Sequence, residues 1–186
     1  MQNSNDKSPE ALKVVLLGDS TVGKTSLRYK YIGKEFESDL MPTLGVDFSL
    51  QDIKFNDKNI KLQIWDVGGQ PTYSQVRKSF YGGSHAGIVM YDIKNRISFE
   101  NVRHWIEEFL KHCGFQNTVV IVVANKIDLR IEDNNDMIMN EDGIELVKSL
   151  AEDFKQDIPF YETSALTGEN IKAIFENICR YYLSKE

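Results

Sequence analysis

Apolar and polar residues along this 186-residue chain follow two rhythms in turn. Lys13 to Leu17 forms a short apolar run that stops at Gly18, and Gly87 to Tyr91 and Val119 to Ala124 are continuous apolar runs of strand length. Such runs predict strands buried on both faces, as in the centre of a parallel sheet. Asp47 to Phe55 alternates instead. Asn56-Asp57-Lys58-Asn59 then turns the chain into a second alternating run, Ile60 to Trp65, and the pair predicts an antiparallel hairpin. Phe160 to Thr163 reads as a last strand. Helical spacing predicts a helix over Lys24 to Ile32, a second along Phe99, Val102, Trp105, Ile106, Phe109 and Leu110, and a third along Ile171, Ile174, Phe175, Ile178 and Tyr182. There is no internal repeat and no Pro- or Ser-rich linker. Strand and helix in alternation imply a mostly parallel, twisted sheet with helices on both faces, whose ligands sit beyond the carboxyl ends of the strands.

The chemistry-bearing motifs fall at those ends. Gly18-Asp19-Ser20-Thr21-Val22-Gly23-Lys24-Thr25 matches GxxxxGK(S/T), with an apolar strand before it and a helix after. Glycines let the backbone curl so that successive N–H groups, with the helix N-terminus, face a polyphosphate. Asp19 to Ser26 is the expected phosphate-binding run. Lys24 supplies a charge for the outer phosphates, and the Thr25 hydroxyl suits Mg²⁺. The fold class expected is therefore a P-loop NTPase three-layer α/β sandwich, with six strands, one of them antiparallel. The P-loop leaves ATP and GTP both open; Asn125-Lys126-Ile127-Asp128 decides for GTP. Guanine presents N1–H and its 2-amino group side by side, and the one carboxylate of Asp128 accepts both. Adenine would offer it a lone pair instead, and a site built for such polar groups rejects the wrong analogue by about 10⁴. Asn125 is placed to tie this loop to the P-loop, and the stem of Lys126 to cover the base.

From about residue 12 to 183 the chain resembles Ras-superfamily small GTPases, in particular their Rab branch. The resemblance implies a GTP-binding domain over residues 11–186, preceded by a flexible segment, 1–10. It implies GTP hydrolysed slowly to GDP with Mg²⁺ bound. Thr163-Ser164-Ala165 matches a third base-contacting loop, which brings Ser164, Ala165 and Leu166 to the guanine, and Phe36 matches an aromatic on the guanine edge. Pro42 to Phe48 resembles the first switch, where Thr43 completes the Mg²⁺ shell and meets the γ-phosphate. Asp66-Val67-Gly68-Gly69-Gln70 resembles the second: Asp66 holds Mg²⁺ through water, the Gly69 amide meets the γ-phosphate, and Gln70 orients the attacking water. Lys24, Thr43 and Gln70 are then the catalytic set, and Thr25, Thr43 and Asp66 the metal set. Protein effectors, an exchange factor and a GTPase-activating protein are the implied partners, in regulation of the membrane-trafficking type. Phe48 and Trp65 stand where Rab proteins carry an effector patch; Trp65 equally suits a half-buried place on its strand.

Two departures stand out. Val67-Gly68-Gly69-Gln70 resembles the Arf branch, where Rab proteins usually carry Thr-Ala-Gly-Gln, and Pro71 replaces a usual Glu. Proline fixes its own φ and biases Gln70 toward extended geometry, which either helps or hinders Gln70 in reaching water. Hindrance would leave a nucleotide-binding scaffold with little turnover; the full set of chemical parts favours the slow hydrolase. No arginine precedes Thr43, where Leu40, Met41 and Pro42 stand, and Arg77 is expected on the surface of a helix beyond the second switch.

Charge and composition narrow the partners. A net charge of −6 and pI near 5.2 argue against nonspecific nucleic-acid binding. Two cysteines, Cys113 and Cys179, make no disulfide framework, and a cytoplasmic monomer is expected. The polar N-terminus carries no signal-peptide run, Gln2 excludes myristoylation, and Tyr181 to Glu186 offers no cysteine for prenylation. His85, His104 and His112 are too scattered for a metal site, and Arg130 to Asp142 reads as a solvated acidic loop.

Overall fold

The computed structural model describes residues 10–35, 43, 45–114, 117–131 and 136–183. Its elements run β1 (Glu10–Leu17), α1 (Lys24–Tyr31), β2 (Val46–Phe55), β3 (Lys58–Val67), a 3₁₀ turn (Pro71–Tyr73), α2 (Ser74–Lys78), β4 (Ala86–Asp92), α3 (Arg96–Glu100), α4 (Val102–Cys113), β5 (Val119–Asn125), a 3₁₀ turn (Ile127–Leu129), α5 (Asn140–Phe154), β6 (Phe160–Thr163) and α6 (Ile171–Leu183). The strands form one six-stranded sheet in the order β2-β3-β1-β4-β5-β6. Only the β2–β3 pair is antiparallel.

Side-chain alternation builds the three layers. In β1, Leu12, Val14 and Leu16 face one way and pack with Leu27 of α1 and Ile174, Phe175 and Ile178 of α6. Val15 and Leu17 face the other way, toward Val102, Ile106 and Phe109 of α4 and Leu150 of α5. Both faces of the central strands are covered, so their apolar runs are unbroken. The hairpin turns on two residues, Asn56 and Asp57, with φ of 47° and 62°. Paired left-handed residues give the twist that a two-residue hairpin needs.

Two helical expectations change. The run from Phe99 to Leu110 is two helices. Asn95 caps the first by accepting the Ser98 N–H at 3.2 Å, and the chain re-enters helix after Asn101. The acidic loop is shorter than its composition suggests. Residues 132–135 lie outside the described residues, but Met137 and Ile138 are buried and α5 begins at Asn140. The Ile138 N–H donates to the Ile93 carbonyl at 2.9 Å, and the Asp142 carboxylate accepts the Met139 N–H at the helix start.

Candidate guanine-nucleotide site

The carboxyl ends of β1, β3, β4 and β5 meet the P-loop, and the end of β6 reaches it through Asn125. Three of its residues take left-handed backbone: Gly18 at φ 128°, Thr21 at 67° and Gly23 at 99°. Two need glycine for space as well. A Cβ on Gly18 would stand 2.2 Å from the Met90 carbonyl oxygen, and one on Gly23 2.2 Å from Asn125 Nδ2. Lys24 is buried, and its ammonium donates to the carbonyls of Gly18 and Asp19 at 2.8 and 2.7 Å. Burial pushes its pKa down to about 8, against the raising pull of Asp66 and Asp19. The Asp19 carboxylate turns away from the loop and accepts from Asn101 Nδ2 at 2.8 Å and Trp105 Nε1 at 2.7 Å. What Asp19 can offer a phosphate is its backbone.

Oxygens from three segments converge beside Lys24. Thr25 Oγ1 donates to Asp66 Oδ2 at 2.5 Å and lies 2.8 Å from Thr43 Oγ1; Thr43 Oγ1 is 3.4 Å from the same carboxylate oxygen. Asp66 is fully buried and its Oδ1 has no hydrogen-bond partner. An unpaired buried carboxylate oxygen is costly, and a hard cation with oxygen ligands would satisfy it. The donor set fits Mg²⁺. Behind Asp66 lies Arg28 of α1, also buried. It donates to Ser49 Oγ at 2.9 Å, pairs with Asp47, and brings Nε to 3.9 Å from Asp66 Oδ2.

The two switch segments touch. The Gly68 N–H donates to the Gly45 carbonyl at 2.8 Å. A Cβ on Gly68 would stand 2.8 Å from the Thr43 carbonyl oxygen, which gives a reason for glycine where alanine is usual. Gly69 lies on the P-loop: its Cβ would be 2.5 Å from the Gly18 carbonyl oxygen and 2.6 Å from the Ser20 nitrogen. Gln70 follows, its carbonyl accepting the Tyr73 N–H at 3.1 Å as Pro71 opens the 3₁₀ turn.

At the base end, Asn125 Nδ2 donates to the Val22 carbonyl at 2.8 Å, the tie to the P-loop that its position implied. Its Oδ1 accepts from Thr163 at 3.0 Å. Lys126 takes φ 70° and pairs with Asp92 at 2.6 Å. Asp128 Oδ1 accepts from Ser164 Oγ at 2.5 Å, which joins the second base loop to the third. Ala165 is buried just beyond and Leu166 is partly open. Val22 and Ser26 complete the loop and the first helical turn. Phe36, Pro42, Leu44 and the positions just before Thr43 lie outside the described residues.

A model of the Ras family matches residues 13–184. The chain belongs to the Ras family of small GTPases. Among its relatives, "Ras-related protein RABG3f" of Arabidopsis thaliana is 36% identical over 172 residues, covering 91% of this chain and 81% of that protein. "Ypt/Rab-type GTPase YPT7" of Saccharomyces cerevisiae is 34% identical over 185 residues, 97% and 86% of the two chains. "Ras-related protein Rab7" of Pisum sativum is 36% identical over 172 residues, 91% and 81%. The family carries GTP binding and hydrolysis, the reactions the motifs specify, and the Rab resemblance agrees with these relatives. No helix among the described residues is long and apolar enough to cross a membrane.

Two expectations about this Ras-family site need correction or completion. Arg77 is not on the surface. It is 5% exposed and bonded through two nitrogens to Glu108 of α4, at 2.7 and 3.0 Å. Burial pushes the Glu108 carboxyl up, but the bonds from Arg77 and Tyr81 outweigh it and hold the group below its ordinary range. Trp65 is half-buried, as its strand position allowed, and Phe48, 54% exposed, stacks on it with ring centroids 5.2 Å apart. Asn101, Trp105 and Glu108 escaped the sequence reading. Helical spacing marks Trp105 as core, and nothing in a spacing says that its indole N–H reaches the P-loop.

Proposed function

We propose that this chain is a GTP/GDP switch whose Mg²⁺ is held by Thr25, Thr43 and Asp66, and whose hydrolysis of GTP is directed by Gln70. The observation that carries the reading is the meeting of Thr25, Thr43 and Asp66 oxygens at one point, because they come from the P-loop helix and from both switch segments. When bound, the metal neutralises charge on the outer phosphates. The Lys24 ammonium adds charge on the same side, and P-loop amides point the transferring group. The Thr43 hydroxyl and N–H, and the Gly69 N–H, bind only while a γ-phosphate is present. Its loss frees both segments together. Gln70 orients water; Asp128, Ser164 and Ala165 select guanine, with Asn125 and Lys126 shaping that wall. Phe36 adds an aromatic edge. The domain spans residues 11–186, acts as a monomer from the cytoplasm, and passes its state to effectors through the face around Phe48. Its regulation is of the membrane-trafficking type, with an exchange factor and an activating protein as partners.

Single-turnover hydrolysis of bound GTP tests this. Gln70→Leu lowers the rate at least tenfold and leaves GTP affinity within about twofold, since Gln70 meets water rather than the ground-state nucleotide. Equal rates for wild type and variant would remove Gln70 from the mechanism.

A further inference from the structure

Arg77 has no part in the site as described, yet it is a buried cation in α2, seven residues beyond Gln70. Three contacts fix it. Glu108 takes two of its nitrogens at 2.7 and 3.0 Å. The Trp105 ring lies beneath the guanidinium, 4.2 Å from centroid to carbon. Nη1 reaches the Gln70 carbonyl oxygen at 3.4 Å. Glu108 is itself held by the Tyr81 hydroxyl at 2.9 Å. Trp105 goes on to donate to Asp19 of the P-loop at 2.7 Å, beside Asn101 at 2.8 Å. A continuous line of contacts thus runs from the P-loop through α4 to the Gln70 carbonyl.

The Gln70–Pro71 peptide gives this line its importance. Proline contributes no N–H, so that peptide group has an acceptor and no donor. Its orientation is held from the carbonyl side alone, and the partners there are the Tyr73 N–H and Arg77. A two-pronged arginine stacked on an aromatic ring is a stiff support, which a lysine cannot reproduce.

We infer that Arg77 is a positioning residue for hydrolysis: braced by Glu108 and Trp105, it fixes the Gln70 carbonyl and thereby where the Gln70 side chain stands over the P-loop. This rests on the reading of Gln70 as the residue that orients water. The cost of misplacing a reacting group by an ångström reaches about 10²-fold, and a loosened rather than removed Gln70 should lose roughly tenfold.

The experiment measures single-turnover GTP hydrolysis on the full chain, with GTP and GDP affinities and melting temperature measured separately. The set is wild type, Gln70→Leu, Arg77→Lys, Arg77→Met, and the double variant Arg77→Met with Glu108→Gln. The double variant removes the carboxylate charge that Arg77→Met would leave buried with only the Tyr81 hydroxyl at 2.9 Å and Lys78 at 3.8 Å, so it reports even where the single variant folds poorly. Expected are a rate about tenfold down in the double variant, affinities within about twofold, and only partial recovery in Arg77→Lys. A second readout uses Trp105 in a Trp65→Phe background: its emission distinguishes the GDP complex from that of a non-hydrolysable GTP analogue, and Arg77→Met shrinks the difference. If Gln70→Leu is slow but the double variant hydrolyses at the wild-type rate, Arg77 is only structural and the inference falls alone. If Gln70→Leu is as fast as wild type, the Gln70 reading falls, and this inference with it.

Discussion

Lys24 illustrates how one residue's surroundings set its task. Its ammonium is pushed to about 8 by burial, and a phosphate oxyanion brought against it supplies the opposite charge and raises it again. The sign follows. Above pH 8 the lysine is largely neutral before nucleotide arrives and charged afterwards, so binding takes up a proton and affinity falls as pH rises from 8. Calorimetry at pH 8.5 in buffers of different ionisation enthalpy should show this uptake; none would mean that Lys24 does not meet the phosphates. At the base end of the site, Asp128→Asn exchanges an acceptor for a donor. It should weaken GTP by about 10² or more and favour xanthine nucleotides, whose 2-oxygen accepts the new bond. Competition binding with the two nucleotides checks it, and unchanged preference would overturn the base-site assignment. These residues were legible in the sequence because each sits in a motif of fixed spacing at a strand end. Arg77 and Glu108 were not. They stand 31 positions apart, and neither lies in a pattern that says which of several surface-like charges will find a buried partner.

Among the elements, β4 and β5 were readable to within a residue at each end, since burial on both faces leaves unbroken apolar runs, whereas β1 starts three residues and β3 two residues before the pattern that announces them. The start of helix α5 was hidden for a physical reason, although Val147, Leu150 and Phe154 keep helical spacing further on. Few of its side chains are fully buried, Ile144 is exposed, and a glycine stands in its first turn. Gly143 is there for space: a Cβ would meet Phe160 Cζ at 2.3 Å and the Tyr91 hydroxyl at 2.8 Å. Glycine to alanine inside a helix ordinarily stabilises by about 1 kcal/mol. Here the sign reverses, and Gly143→Ala should cost about 1–3 kcal/mol from overpacking. Denaturant unfolding of the two proteins measures it, and a more stable variant would show that α5 can shift off β6 at little cost. The break between α3 and α4 was equally silent, because the apolar spacing carries through Asn101, which ends one helix and opens the next while keeping helical φ and ψ of −76° and −8°.

On the scale of the whole molecule, the nucleotide joins segments that are otherwise only lightly tied. If Thr25 holds Mg²⁺ as proposed, Thr25→Asn should lower the ratio of GTP to GDP affinity measured in Mg²⁺, since the lost hydroxyl would hold a metal whose charge matters most to the triphosphate. An unchanged ratio would remove Thr25 from the metal set. Intrinsic hydrolysis should be slow, about 10⁻⁴ to 10⁻³ per second, the range for such a site without an arginine at the transferring group. Arg77 does not supply one, because Glu108 holds it. An arginine delivered by another protein should accelerate turnover by roughly 10³ to 10⁵ in the same assay. The position of β2 adds a mechanical point. It is an edge strand whose backbone ladder runs to β3 alone, with Arg28 of α1 holding its Asp47 and Ser49 side chains, and the first switch leads directly into it. Central strands β1 and β4 are clamped along both margins. The sheet is thus a cantilever, rigid where the phosphates rest and compliant where the signal must emerge. A tug on Thr43 meets one backbone ladder and the Arg28 contacts to Asp47 and Ser49. Backbone amides of β2 should accordingly exchange hydrogen well before those of β1, with the gap narrowing when a γ-phosphate holds Thr43 in place.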